Sequence, residues 1–161
     1  MGCEDEATFG LIPTVARGWA RKGSKPVAII DKIPKAINVF GFRTAKTFTF
    51  NFSKKKNQHS FTYALGKAIR RYKRLFLLAD YAPGHHGKIV NAFLKSHHKT
   101  FKLEYFPHYS PELNPCEQCW KPARKKLTIK TLHTIPGMQY HLRQTFNNVK
   151  SLPKMFEYIE D

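Results

Sequence analysis

Five apolar residues in a row, Leu75-Phe76-Leu77-Leu78-Ala79, end abruptly on Asp80. A continuous apolar run of this length, closed by a turn-forming residue, reads as a strand buried on both faces. Before it, Phe61, Leu65, Ala68, Ile69 and Tyr72 recur at helical spacing between Ser60 and Arg74. Ser60 stands where an N-cap belongs, and Lys67, Arg70, Arg71 and Lys73 fall on the other faces, which predicts an amphipathic helix. A helix leading directly into a buried strand commits this part of the chain to a layered α/β arrangement.

The flanking sequence fits that arrangement. Val27 to Ile30 and Ile37 to Phe42 read as short strands, separated by the breaker-containing run Asp31 to Lys35 and expected to form a hairpin. Thr47 to Phe52 alternates polar residues with phenylalanine, the period of a strand with one buried face, and the basic stretch Ser53 to Asn57 reads as a solvated loop. After Asp80, Ile89, Val90, Phe93 and Leu94 mark a second helix and Phe101 to Phe106 a further strand. Pro107, Pro111 and Pro115 punctuate a loop. Asn114 is placed to cap a helix with Pro115 at its first position and Trp120 and Leu127 on its apolar side, and Pro122 is expected to kink or shorten it. Leu132 to Val149 and Leu152 to Ile159 read as terminal helices. With no repeat or linker to divide it, the chain is expected to form one α/β domain, a mixed central sheet flanked by helices.

Charge narrows the function. Lys and Arg number 28 against 11 Asp and Glu, a formal net charge of +17, which favours a polyanionic partner. No apolar run approaches the roughly 20 residues that span a bilayer, and the N-terminus lacks the features of a signal peptide, so a cytoplasmic, nucleoid-associated protein is expected. Cys3, Cys116 and Cys119 are odd in number and come without a secretion signal, which argues against a disulfide framework. Cys116-x-x-Cys119 by itself, even with Cys3 or His85 and His86 to complete a site, is a weak sign of zinc or redox chemistry.

In so basic a chain the acids are informative, because a carboxylate repels phosphate unless a divalent cation lies between them. Asp80, at the end of a buried strand, is the strongest candidate ligand. Asp80-Tyr81-Ala82-Pro83-Gly84 also has turn chemistry, and Glu117 stands three residues after Asn114, where it would complete a capping box. Taken alone, the residues leave both alternatives open.

The wider pattern is more specific. Leu77-Leu78-Ala79-Asp80-Tyr81-Ala82-Pro83-Gly84-His85, followed by the segment from Tyr105 to Trp120 with its Ser110-Pro111-Glu112-Leu113-Asn114-Pro115, resembles the DDE endonuclease domain of mariner-like insertion-sequence transposases. The likeness extends upstream through Glu4 to Phe9, Trp19, Gly23 and Ile37 to Gly41. It implies a ribonuclease H-like fold in which Asp5, Asp80 and Glu117 converge as catalytic, metal-binding acids. They would hold two Mg²⁺ or Mn²⁺ ions for DNA cleavage and strand transfer, with transposon ends and target DNA as partners and no membrane. His85, Asn114 and Trp120 would support the site, His85 by orienting phosphate or water. Lys121, Arg124, Lys125, Lys126 and Lys130 would grip the DNA backbone. Strand alternation would turn Glu4 and Glu6 away from Asp5, and Asp31 is a reserve for the first acid.

The chain departs from the family pattern in four places. Tyr81 replaces the usual Asn after the second acid, Cys116 stands where an aliphatic residue is usual, and Pro122 interrupts the helix bearing Glu117. Met1 to Glu4 alone precede Asp5, and the family's N-terminal helix-turn-helix region has no counterpart here. The expectation is therefore a catalytic domain truncated at its first strand, with room for a homodimer and for a separate N-terminal DNA-binding part. The alternative is an inactive remnant that binds nucleic acid without specificity.

Overall fold

The computed structural model of the chain describes residues 1–12, 19–25, 27, 33–128 and 132–148. Their elements follow in the order β1 (Gly2–Gly10), β2 (Ala36–Thr44), β3 (Phe48–Ser53), α1 (Gln58–Tyr72), β4 (Leu75–Ala79), α2 (Lys88–His97), β5 (Phe101–Tyr105), α3 (Glu117–Leu127) and α4 (Ile135–Phe146), with a 3-10 turn at Pro111–Leu113 before α3. The strands form one sheet in the order β3-β2-β1-β4-β5. β1, β2 and β3 are antiparallel neighbours, whereas β4 runs parallel to both β1 and β5, so the sheet is mixed.

Side-chain alternation gives the sheet two buried faces. Cys3, Ala7 and Phe9 of β1 join Ile37 and Val39 of β2, Phe48, Trp120, Met138, Leu142 and Phe146 in a core beneath α3 and α4. Phe40 and Phe42 point the other way and pack with Phe61, Leu65, Leu77, Val90 and Leu103 beneath α1 and α2. Glu4 and Glu6 also project on this second side, opposite Phe42 and Phe40 in the β1–β2 register. Two acids thus occupy positions where the pattern of the sheet calls for apolar residues.

Several expectations are corrected in detail. β2 is flanked on both edges by β1 and β3 rather than by a single hairpin partner. Val27 itself is exposed and outside any strand, and residues 28–32, including the reserve acid Asp31, lie outside the described residues. α1 is capped by Asn57 rather than Ser60: the Asn57 side chain accepts the Ser60 N–H, which places Ser60 inside the first turn. β4 is fully buried on one face only, through Leu75, Leu77 and Ala79, while Phe76 and Leu78 are half-buried.

α3 begins at Glu117, not at Pro115, and runs through Pro122 to Leu127 without being shortened. The Asn114 N–H bonds to the Pro111 carbonyl, so no capping box forms with Glu117. The expected helix over Leu132 to Val149 is α4, capped by Thr134 with a proline in its first turn. Residues 152–159 and Lys130 fall outside the described residues.

Candidate active site

The parallel pairing of β1 with β4 fixes the relation between the first two acids. Gly2 lies opposite Leu77 and Cys3 opposite Leu78, so the same register carried forward brings Asp5 level with Asp80. Asp80 follows the last residue of β4, and Glu117 opens α3. All three acids line one cavity of about 350 Å³ at this end of the sheet, with Tyr81, Phe106, His108, Tyr109 and Asn114 around them.

Each acid is placed by identifiable bonds. Asn114 donates its side-chain N–H to the Glu4 carbonyl at 2.9 Å and accepts the Cys116 N–H at 3.0 Å, so one buried amide ties the start of α3 to the strand carrying Asp5. Trp120, one turn along α3 from Glu117, donates its indole N–H to Asp5 Oδ2 at 2.5 Å. The turn chemistry of Asp80 is also present, because its Oδ1 accepts the Ala82 N–H at 3.2 Å. That turn directs the carboxylate and does not compete with a place in the cavity.

Behind the cavity, His85 is 1% exposed and stacks on Phe61 at 4.1 Å between centroids. Its Nδ1 lies 2.7 Å from Asp80 Oδ1, and its Nε2 lies 3.0 Å from Glu6 Oε1 and 3.7 Å from Glu4 Oε2. Burial opposes a charge on this ring, but Glu4, Asp80 and Glu6 outweigh it and push its pKa up to about 11, so His85 is a cation at neutral pH. The His85 hydrogen bond in turn holds the Asp80 carboxyl below its usual range, against partial burial. Glu4 is fully enclosed, and burial raises its pKa well above the ordinary value despite the neighbouring histidine.

Asp5 carries the opposite tension. Burial pushes its pKa up from 3.8 to about 7, against the Trp120 hydrogen bond, and the charges of Glu117 and Asp80 add to the rise. Folded Asp5 therefore binds its proton more tightly than unfolded Asp5. Its contribution to stability is complete below pH 3.8 and is lost as pH rises through about 7. Thermal melts in chelator should show wild type losing stability relative to Asp5→Asn across that window. Parallel curves for the two proteins would show that Asp5 does not titrate this way.

The three acids offer the cavity carboxylate oxygens, hard ligands that suit Mg²⁺ or Mn²⁺. Among the described residues, the group whose potential ligand atoms all lie within 4.8 Å of one another is Glu4, Glu6 and His85, so the three cavity acids are spread more widely than that. No cysteine belongs to such a group. Cys3, Cys116 and Cys119 are free thiols buried in the core. Lys121, Arg124, Lys125 and Lys126 are exposed along α3, beyond Glu117.

Asp5, Asp80 and Glu117 are thus brought to one cavity, with Asn114, Trp120 and His85 in contact with the segments that carry them. The pairing of His85 with Glu4 and Glu6 was missed in the sequence. Its one visible sign is the pair of acids flanking Asp5 on a strand otherwise patterned for burial.

A sequence model of the DDE superfamily endonuclease matches residues 1–135. No curated protein matches the chain. Among solved structures, the Mos1 mariner paired-end complex with Mn aligns with a TM-score of 0.73 at 16% identity, over 96% of this chain and 49% of that one. The corresponding complex with Mg gives 0.70 at 18% identity, over 94% and 49%. The isolated catalytic domain of Mos1 mariner transposase gives 0.67 at 15% identity, over 91% and 70%. At these identities the alignments establish the ribonuclease H-like fold, and the chain spans about half the length of the transposase chains in the complexes. No helix among the described residues is long and apolar enough to cross a membrane.

Proposed function

The chain belongs to the DDE superfamily of endonucleases, and from that premise we propose that it is the catalytic domain of a transposase, cleaving DNA strands and joining the freed ends to target DNA. The observation that carries this reading is the meeting of Asp5, Asp80 and Glu117 on one cavity from three separate elements. Asp5, Asp80 and Glu117 would hold two divalent ions, Mg²⁺ or Mn²⁺. When bound, such ions activate a water or 3′-hydroxyl and stabilise the leaving oxygen of an in-line phosphoryl displacement.

The chain's own residues do the remaining work. Trp120 and His85 hold the carboxylates of Asp5 and Asp80 from inside the protein, which limits the reorganisation needed on substrate binding. Asn114 keeps the start of α3 against β1, so Glu117 stays beside the other two acids. Lys121, Arg124, Lys125 and Lys126 follow Glu117 on the same helix and would draw the DNA backbone toward the cavity. A separate N-terminal DNA-binding part would recognise transposon ends, and a homodimer would bring two ends together.

Nicking of supercoiled plasmid in Mg²⁺ or Mn²⁺, absent in chelator, tests the activity. A folded wild-type protein that binds DNA but never nicks it would favour the remnant. DNA binding should depend steeply on salt and little on sequence, because backbone phosphates supply the contacts. Alanine at Lys121, Arg124, Lys125 and Lys126 together should flatten the log–log salt slope by roughly 0.9 for each phosphate that is no longer neutralised. An unchanged slope would remove α3 from the DNA interface.

A further inference from the structure

His85 stands at the centre of a bridge between two strands. We propose that it is a positioning residue for Asp80, and that Glu4 and Glu6 of β1 serve to anchor its ring. The proposal rests on the reading of Asp80 as a metal ligand.

The bonding pattern is asymmetric in a telling way. His85 Nδ1 reaches Asp80 Oδ1 at 2.7 Å and the Asp80 backbone carbonyl at 3.0 Å, and the Ala82 N–H donates to the same Oδ1 at 3.2 Å. One backbone donor and the edge of the ring thus face the same oxygen from inside the protein, which leaves Oδ2 for the cavity that Asp80 lines. On the far side of the ring, Nε2 donates to Glu6 Oε1 at 3.0 Å, with Glu4 Oε2 at 3.7 Å. The ring is stacked on Phe61, and the Tyr105 hydroxyl donates to the His85 carbonyl at 2.7 Å, so neither ring nor backbone is free to swing.

Glu4 makes the arrangement hard to read as ordinary packing. Its side chain is completely buried, and both carboxylate oxygens lack a hydrogen-bond partner. A buried polar group left this way is costly, and the group facing it is the His85 ring. β1 therefore supplies the cavity with Asp5 from one face and the histidine with its anchors from the other. A histidine 1% exposed does not reach phosphate or water, so it acts on the site through Asp80.

Outer partners that orient a metal-ligating side chain typically contribute 10- to 100-fold in metal affinity. Mn²⁺ binding to the purified chain, followed by electron paramagnetic resonance of the free ion, tests the proposal with Asp80→Ala as reference. Asparagine at 85 places an amide donor near the position of Nδ1, whereas glutamine places one near Nε2. His85→Gln and His85→Ala should weaken Mn²⁺ binding about 10- to 100-fold, and His85→Asn should stay close to wild type. Equal weakening in His85→Asn and His85→Gln would overturn the proposal and leave the metal reading of Asp80 standing. If Asp80→Ala binds Mn²⁺ like wild type, that reading fails, and the proposal with it. Binding abolished by His85→Ala but kept in Asp80→Ala would seat the ion on Glu4, Glu6 and His85 and overturn it as well. Should the histidine variants fail to fold, Glu6→Gln carries the test: about tenfold weaker Mn²⁺ binding is expected, and an unchanged affinity overturns the proposal.

Discussion

Replacing Asp80 or Glu117 with alanine should abolish Mg²⁺- or Mn²⁺-dependent nicking while leaving metal-free DNA binding unchanged or slightly tighter. Each acid would contribute a hard oxygen ligand, and charge stabilisation by a bound cation amounts to several kcal/mol at a phosphoryl transition state. At about 1.4 kcal/mol per decade, losing it corresponds to roughly 10²- to 10⁴-fold in rate. DNA binding should respond in the opposite direction, because each substitution deletes a negative charge from a cavity meant to receive phosphate. A capping role for Glu117 would have made this substitution a stability defect of about 0.5 to 2 kcal/mol. The capping box is not formed, so a loss of activity in folded Glu117→Ala would report on the cavity. Nicking by well-folded Asp80→Ala at the wild-type rate would sink the catalytic assignment.

The largest stability loss is expected at Trp120. Its ring is 1% exposed, meets Phe9, Phe48 and Phe146 edge-on, and donates to Asp5. Trp120→Ala should cost about 3 to 5 kcal/mol through the cavity it leaves, enough to lower the melting temperature by roughly 10 °C in a domain of this size. Trp120→Phe separates packing from bonding. It keeps most of the ring but loses the donor, so the Asp5 carboxyl should titrate still higher than about 7, as carboxyl NMR would read.

Gly41, opposite Asp5 in the β1–β2 register, tests the same packing from the other side. A Cβ there would lie 2.5 Å from the Trp120 ring and 2.9 Å from Phe48, so Gly41→Ala should cost about 1 to 3 kcal/mol by overpacking. A Gly41→Ala protein melting like wild type would mean that the indole has room to move.

The sequence carried the elements that answer to local chemistry. The apolar run of β4, the 3.6-residue spacing of α1 and the phenylalanine alternation of β3 are each decided by which side chains leave water, and each appears within a residue or two of its expected place. Asp80 and Glu117 were legible because they sit in segments with a specific family pattern. Helix starts were less legible. Asn57 and Ser60 are both good caps by chemistry, and α3 could open at Pro115 or Glu117 on propensity alone. The choice between such options depends on where the preceding loop is pinned.

By itself, then, the sequence determined an α/β domain with a basic surface, and a scarce set of acids from which Asp5, Asp80 and Glu117 could be singled out. Tertiary structure decided what surrounds them. That β2 pairs with β1 and β3, that Asp5 lies level with Asp80, and that Trp120 reaches Asp5 from α3 on the same face of the sheet are facts of register and long-range packing. The bridge from Glu6 through His85 to Asp80 joins residues far apart in the chain. Periodicity reports which face a residue occupies but not which residue on another strand stands opposite. That pairing is set only when the two cores close on the sheet and the buried charges must find partners in space.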